Sequence, residues 1–142
     1  MNTDVEILLV EDNPADIRLT QEAFAVNKVY NKLHVVTDGE QALDFLHRRG
    51  FFVGAPRPDV VLLDLNIPKI HGIEVLREMK ADESLRKIPV IMLTTSGNEA
   101  DVEKTYSIGA NAYVQKPVDF KQFIKALEAI ENFWLSVVKL AP

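Results

Sequence analysis

Short apolar runs alternate along this chain with longer segments in which apolar residues recur at helical spacing. The runs predict five strands, at 6–10, 33–36, 59–63, 89–93 and 112–114. Helices are predicted from Pro14, after Asp38, and over 73–80, 99–108 and 119–138, and the Gly- and Pro-containing stretch 50–58 is predicted to be a loop. The chain therefore reads as β-α repeated five times.

Near-continuous apolar strands separated by helices predict an α/β fold. Such strands are buried on both faces, so we expect a five-stranded parallel sheet, doubly wound, with right-handed crossovers. A sheet of this kind carries its functional crevice beyond the carboxyl ends of the strands. We therefore expect the chemistry of this protein just after the strands.

Composition narrows the class of protein. A length of 142 residues suits one domain with a real core, and 47% hydrophobic with 26% charged residues is ordinary for a globular protein. The net charge of −5 argues against nucleic acid as a partner. The chain has no cysteine, which excludes disulfides and thiolate metal sites and allows a cytoplasmic location. Its first residues carry no basic region followed by an apolar run, so no signal peptide is expected, and no apolar run approaches the ~20 residues that a membrane span needs.

Polar residues follow four of the five predicted strands. Glu11-Asp12 follows the first strand, Asp64 the third, Thr94 the fourth and Lys116 the fifth. Three carboxylates this close would repel one another unless a cation neutralised them. Oxygen-only ligands suit Mg²⁺, so we expect a magnesium site at this edge.

Such a site can also use a carboxylate as a nucleophile. Carboxylates form aspartyl-phosphates, and a metal ion with Lys116 can stabilise the charge of a transferring phosphoryl group. No glycine-rich phosphate loop is present, so we expect another protein, not ATP, to be the donor. Taken singly, each residue suits a solvated turn, a helix cap, a loop lysine or a strand end. Their joint placement on four strand ends favours a site.

The motifs around these residues resemble a known family. The segments 10–13, 63–68 with Gly72, 93–96 and 109–117 are similar to the receiver domains of bacterial two-component response regulators. The resemblance covers nearly the whole chain. It implies a flavodoxin-like receiver fold with strand order 2-1-3-4-5.

The resemblance also implies roles for the acidic residues. Asp64 would be the phosphorylated residue. Asp12 would bind Mg²⁺ directly and Glu11 mainly through water, and Asn66 would offer its backbone carbonyl to the metal. His71 departs from the family, which often has an acidic residue there; a lone loop histidine is more often a surface residue than a ligand.

Further roles are implied for the residues around the phosphoryl group. Thr94 would hydrogen-bond one phosphoryl oxygen and Lys116 would pair with another. The bond before Pro117 would be cis and would aim Lys116 into the site. Tyr113 matches the family's switch aromatic, turning inward when Thr94 moves; as a residue type it equally fits a partly buried strand tyrosine.

The output is expected from the same domain. Residues 1–142 are predicted to form a single receiver domain with no separate output domain, phosphorylated by a sensor histidine kinase and without turnover of a small molecule. The last helix, predicted over 119–138, carries an apolar stripe that should pack on the sheet: Phe120, Phe123, Ile124, Leu127, Ile130 and Trp134. Phe133, Leu135 and Val138 fall off that stripe, which predicts a homodimer through this helix unless the helix tip folds back on its own domain.

A narrower resemblance concerns the input signal. The segment 11–16, the 50–58 loop and the Phe- and Trp-containing tail resemble the small response regulators paired with cyanobacterial phytochromes. This implies a phosphohistidine donor on a light-regulated histidine kinase.

Three other classes of protein share parts of this pattern. A hydrolase with an aspartate nucleophile needs a second acid two positions later, where this chain has Asn66, which cannot act as an acid or a base. A receiver-like module without phosphorylation would be expected to lose the acidic pair, the acceptor or Lys116. A flavin-binding protein of similar topology would need a phosphate-cradling loop after the first strand, where Glu11-Asp12 would repel the phosphate.

Overall fold

The computed structural model describes residues 4–25 and 31–137, with side chains described as far as Trp134. Within these residues the strands are β1 (Val5–Val10), β2 (Asn31–Val36), β3 (Val60–Leu63), β4 (Val90–Thr94) and β5 (Ala112–Gln115). The helices are α1 (Pro14–Ala25), α2 (Gly39–His47), α3 (Gly72–Ala81), α4 (Glu99–Ile108) and α5 (Phe120–Ile130), with a 3₁₀ turn at Gly50–Phe52 and a π-helical segment at Glu131–Val137.

The five strands form one parallel sheet in the order β2-β1-β3-β4-β5. Successive side chains of a strand point to opposite faces, and both faces of this sheet are covered. Ile7 and Leu9 of β1 pack with α1 and α5 on one face. Leu8 and Val10 pack with α2 and α3 on the other. The predicted fold class and strand order are therefore confirmed.

Side-chain caps set the start of several helices. The carboxylate of Asp38 accepts a hydrogen bond from the Gln41 amide at 2.7 Å, where α2 begins. Asp119 likewise accepts from Lys121 at the start of α5. Such caps satisfy amide groups that have no partner within the helix.

The last helix differs in part from its prediction. Phe123, Leu127 and Ile130 are buried against the sheet, and Trp134 packs beside them. Phe120, the first residue of α5, was expected on the same stripe but is 63% exposed. Helical periodicity gives the face on which a residue lies, not how far along the helix that face is covered.

The helical path predicted over 119–138 changes its hydrogen bonding to the π type at Glu131. Val138 lies outside the described residues, and the side chain of Leu135 is not described. Among the described residues no helix has the length and apolarity needed to cross a membrane.

The prediction of a cis bond before Pro117 is wrong: no peptide bond in the described residues is cis. The Lys116 amide donates to the Thr94 carbonyl at 2.6 Å, continuing the β5–β4 pairing by one residue. Lys116 therefore leaves the sheet edge already directed at the site with a trans bond, which remains the preferred form even before proline.

Candidate phosphoryl-acceptor site

The residues predicted to form a site lie at one edge of the sheet. The Glu11 amide continues the ladder of β1 by donating to Val36 at 3.0 Å, and the Asp64 amide donates to Val10 at 3.1 Å. Thr94 is the last residue of β4. Because the strands are parallel, their carboxyl ends meet at the same edge, and the side chains that follow them converge.

Three carboxylates come together at this edge. Glu11, Asp12 and Asp64 each offer one oxygen, and these oxygens lie within 4.8 Å of one another. Glu11 and Asp64 are buried and Asp12 is exposed. Hard cations such as Mg²⁺, Ca²⁺ and Mn²⁺ prefer oxygen ligands, and Mg²⁺ uses few carboxylates and keeps several waters. The donor set, with one member facing solvent, fits a divalent cation.

Lys116 places a buried positive charge beside these carboxylates. Its ammonium group contacts Glu11, the Asp64 Oδ2 at 3.1 Å and the Asp16 Oδ2 at 3.0 Å. An ammonium has three N–H donors, and three carboxylates accept them here.

Asp16 was not among the residues predicted from the sequence. It lies in the first turn of α1, where an acidic residue is ordinarily explained by the helix dipole. The available signal was its spacing: five positions after Glu11, one turn into the helix that begins at the site.

The pKa values of Glu11 and Lys116 are both raised, but for different reasons. Burial raises the pKa of Glu11 from its ordinary 4.5 to about 7; Asp64 adds to this, and Lys116 offsets only part of it. Burial disfavours the Lys116 ammonium, but Glu11, Asp64 and Asp16 outweigh that cost and raise its pKa above the ordinary value. Lys116 is therefore a fixed cation at neutral pH.

Asp64 is held by its own loop. Its Oδ1 accepts a hydrogen bond from the Asn66 amide at 3.1 Å, and the side chain of Lys116 holds Oδ2. Asn66 itself is exposed beside the site, which leaves its predicted carbonyl role a prediction. Both Asp64 oxygens are thus oriented by neighbours.

A chain of contacts runs from the site to β5. Thr94 is fully buried, and its hydroxyl oxygen lies 3.5 Å from the Ser96 amide. The Tyr113 hydroxyl donates to the Ser96 carbonyl at 2.7 Å, and burial raises the pKa of Tyr113. The Ser96 hydroxyl donates to Asp101 of α4 at 2.7 Å. A movement of Thr94 would therefore displace Ser96 in the β4–α4 loop and change its contact with Tyr113.

Each of the three histidines makes a local contact outside the acidic cluster. His71 is an exposed N-cap whose Nδ1 accepts from the Ile73 amide at 3.2 Å, as α3 begins. His34 contacts Glu6 at 3.1 Å and His47 contacts Glu78 at 3.3 Å. His71 thus has a local structural role at the start of α3.

Comparison with known proteins identifies the family. The family model described as "Response regulator receiver domain" matches residues 7–128. The chain is 45% identical over 134 residues to the response regulator Rcp1 of Synechocystis sp., covering 94% of this chain and 91% of that protein.

Two solved structures are also similar over nearly their whole length. The Mn²⁺-bound form of Rcp1 superposes with a TM-score of 0.95 at 43% identity, covering 97% of this chain and 99% of the other. The phosphorylated cyanobacterial phytochrome response regulator RcpA gives 0.96 at 44% identity, with 99% and 100% covered. The strand order, the acidic cluster with its lysine and these matches agree: the chain belongs to the response regulator receiver domain family.

Proposed function

We propose that Asp64 accepts a phosphoryl group and that this modification switches the surface of the domain. The observation that carries the proposal is the position of the Asp64 carboxylate. The Asn66 amide and the Lys116 ammonium hold its two oxygens, and the carboxylates of Glu11 and Asp12 lie beside it. Residues 1–142 would act as one receiver domain in a two-component system.

Mg²⁺ is the proposed metal, held by Glu11, Asp12, Asp64 and the Asn66 carbonyl. The three carboxylates supply the oxygen donors that this ion prefers, and Asp12 leaves an exposed side for its waters. Bound there, the ion would neutralise negative charge on the phosphoryl oxygens during transfer. The similar protein Rcp1 has been crystallised with a divalent ion, Mn²⁺, bound to it.

The proposed reaction is phosphoryl transfer from a phosphohistidine of the donor protein to Asp64. An Asp64 oxygen attacks phosphorus, a P–O bond forms, and the P–N bond to a donor phosphohistidine breaks, leaving the histidine to take up a proton. Lys116 pairs with one phosphoryl oxygen and the Thr94 hydroxyl donates to another, so negative charge is stabilised where it gathers. No small molecule is turned over.

The change is then passed to the surface. Phosphorylation adds about −1.5 to −2 charges and new acceptor oxygens at Asp64. Thr94 would move toward them, and the contacts of Ser96 with Tyr113 and Asp101 would rearrange as Tyr113 turns inward. The partner-binding surface around α4, β5 and α5 would change as a result.

The proposed donor is a sensor histidine kinase of the phytochrome type in the cytoplasm. RcpA, so similar over its whole length, is a phytochrome response regulator, and its structure is of the phosphorylated form. The light signal would be received by the kinase. The net charge of −5 disfavours nucleic acid as a direct target.

We also propose a homodimer through the end of the last helix. Phe133 is 53% exposed and stacks edge-to-face on Trp134, with ring centroids 5.7 Å apart. Leu135 lies in the same π-helical segment, and Val138 follows it in the sequence. Aromatic residues are enriched at protein interfaces, and Phe133 and Trp134 form an adjacent pair at this helix end.

The dimer is tested by sedimentation velocity over a range of protein concentrations. Phe133→Ser should shift the protein toward monomer. Phe51→Ser, at a phenylalanine that is 94% exposed in the 3₁₀ turn, should leave the distribution unchanged. A monomeric parent protein, with or without acetyl phosphate, would reject the dimer.

Phosphorylation is tested by intact mass after incubation with acetyl phosphate and Mg²⁺. The parent protein should gain one phosphoryl group, a mass of roughly 80 Da, and EDTA should prevent the gain. Asp64→Asn should gain nothing. Asp119→Asn is the matched control, because asparagine caps a helix as well as aspartate does, and it should be labelled like the parent. Labelling of Asp64→Asn would overturn the assignment.

A further inference from the structure

The ammonium of Lys116 has a partner that the proposed metal site does not use. Of its three carboxylate contacts, Glu11 and Asp64 belong to the cluster that can hold a cation. Asp16 does not belong to that cluster, although its Oδ2 lies 3.0 Å from the Lys116 Nζ. Asp16 thus contacts the lysine without belonging to the cluster that can hold a cation.

The direction of the Asp16 side chain goes beyond helix capping. Asn13 already caps α1, since its Oδ1 accepts from the amides of Ala15 and Asp16 at 3.0 and 3.1 Å. The Asp16 carboxylate is only 21% exposed and reaches across to a lysine 100 positions later in the chain. A carboxylate that served the helix dipole alone would have no need of this contact.

The negatively charged groups around the Lys116 ammonium would change during the reaction. When a cation draws on Glu11 and Asp64, their negative charge is shared with it, and their hold on the ammonium weakens. When Asp64 is phosphorylated, one of its oxygens is bonded to phosphorus, and the negative charge that Lys116 must pair with moves to the phosphoryl oxygens. The contact with Asp16 would persist through both steps, because Asp16 is neither in the cation cluster nor the phosphoryl acceptor.

We propose that Asp16 is a positioning residue for phosphoryl transfer, which holds the Lys116 ammonium where the phosphoryl oxygens will lie. This inference rests on the proposed phosphorylation of Asp64. A lysine stem has several rotatable bonds, and a cation fixed in advance stabilises a developing charge better than one that must first be ordered.

The kinetic test measures the rate of labelling by acetyl phosphate at saturating Mg²⁺. Asp16→Ala, which removes the acceptor, should slow labelling about tenfold, a modest fraction of what misplacing a catalytic group can cost. Asp16→Asn keeps an oxygen acceptor and should recover part of that loss. Glu22→Gln, at an exposed acidic residue of the same helix, should label at the parent rate.

A spectroscopic test separates positioning from helix stability. The ammonium ¹⁵N–¹H signal of Lys116, identified by its loss in Lys116→Arg, should be sharp in metal-free parent protein and broadened or absent in Asp16→Ala. A role in α1 alone would lower the melting temperature of the Ala and Asn variants alike and leave both the signal and the labelling rate at parent values.

The outcomes distinguish the two proposals. If the parent protein labels and Asp16→Ala labels at the same rate with an unchanged Lys116 signal, the role of Asp16 is overturned and the phosphorylation of Asp64 stands. If the parent protein does not label, the proposed function fails and the role of Asp16 falls with it. Should Asp16→Ala not fold, Asp16→Asn decides between the same outcomes.

Discussion

At the scale of single residues, this protein keeps an unusual group of charges out of water. Glu11, Asp64 and Lys116 are all buried, and burial of a charge is costly unless it is paired. One ammonium cannot fully compensate the surrounding carboxylates. Burial is the main cause of the raised pKa of Glu11, and the charge of Asp64 adds to it. The excess of negative charge is what would draw a cation to the site.

The raised pKa of Glu11 predicts a pH dependence of stability in metal-free protein. The pKa of Glu11 is raised from 4.5 to about 7, so between these values the folded state binds more protons than the unfolded chain. The unfolding free energy should therefore fall as pH rises through this window. The stabilisation is complete below pH 4.5 and lost above about pH 7.

Glu11→Gln provides the reference, because glutamine does not titrate. Urea unfolding in EDTA at several pH values between 5 and 8 gives the difference in unfolding free energy between parent and variant. The unfolding free energy of the parent should fall relative to that of the variant as pH rises. A difference independent of pH would mean that Glu11 titrates normally in the fold.

At the scale of elements, the site depends on how closely the start of α3 packs under the β3 loop. The Gly72 amide donates to the Leu65 carbonyl at 2.9 Å. A Cβ added at Gly72 would overlap the Asp64 carbonyl and lie 2.7 Å from the Leu65 Cα. Backbone this close leaves room for glycine only, and the same contact fixes the loop that carries Asp64.

Gly72→Ala should therefore destabilise the protein and weaken metal binding together. We expect a loss of about 1–3 kcal/mol in unfolding free energy, the range for overpacking a tight contact. Gly54→Ala is the matched control: a Cβ there meets nothing within 4 Å, so stability should be unchanged or slightly higher. Equal stability of the two variants in chemical unfolding would contradict the packing argument.

At the scale of the whole molecule, the sheet holds the site together. Its residues come from the ends of four strands, and the strands are kept in register by a core on each face. Leu127 of α5 is fully buried in the core that includes Ile7 and Leu62. Helix α5 thus closes one face of the sheet over strands that carry the site.

Leu127→Ala should lower the unfolding free energy by about 2–4 kcal/mol through loss of burial and creation of a cavity. Phe120→Ala, in the same helix, should change it by less than about 0.5 kcal/mol, because that ring is 63% exposed. Both variants are compared by urea unfolding with the midpoint and slope fitted together. A large effect at Phe120 would show that its ring packs on a surface in solution.

Some features of the site could be predicted from the sequence, and others could not. The order of strands and helices along the chain places Glu11, Asp12, Asp64, Thr94 and Lys116 at one edge, because a parallel sheet collects its strand ends there. The exposure of Phe120 could not be predicted in this way, because helical periodicity places a residue on a face but does not show where the facing surface ends.

The sequence by itself determined the repeating order of strands and helices and the chemical types that follow the strands. The order of elements depends on local periodicity, which neighbouring residues set. The chemical types are read directly from the residues that follow each strand. The tertiary structure decided the raised pKa of Glu11 and the contact of Asp16 with Lys116. These depend on distances between residues far apart in the chain, which only the folded sheet brings within a few ångströms of one another.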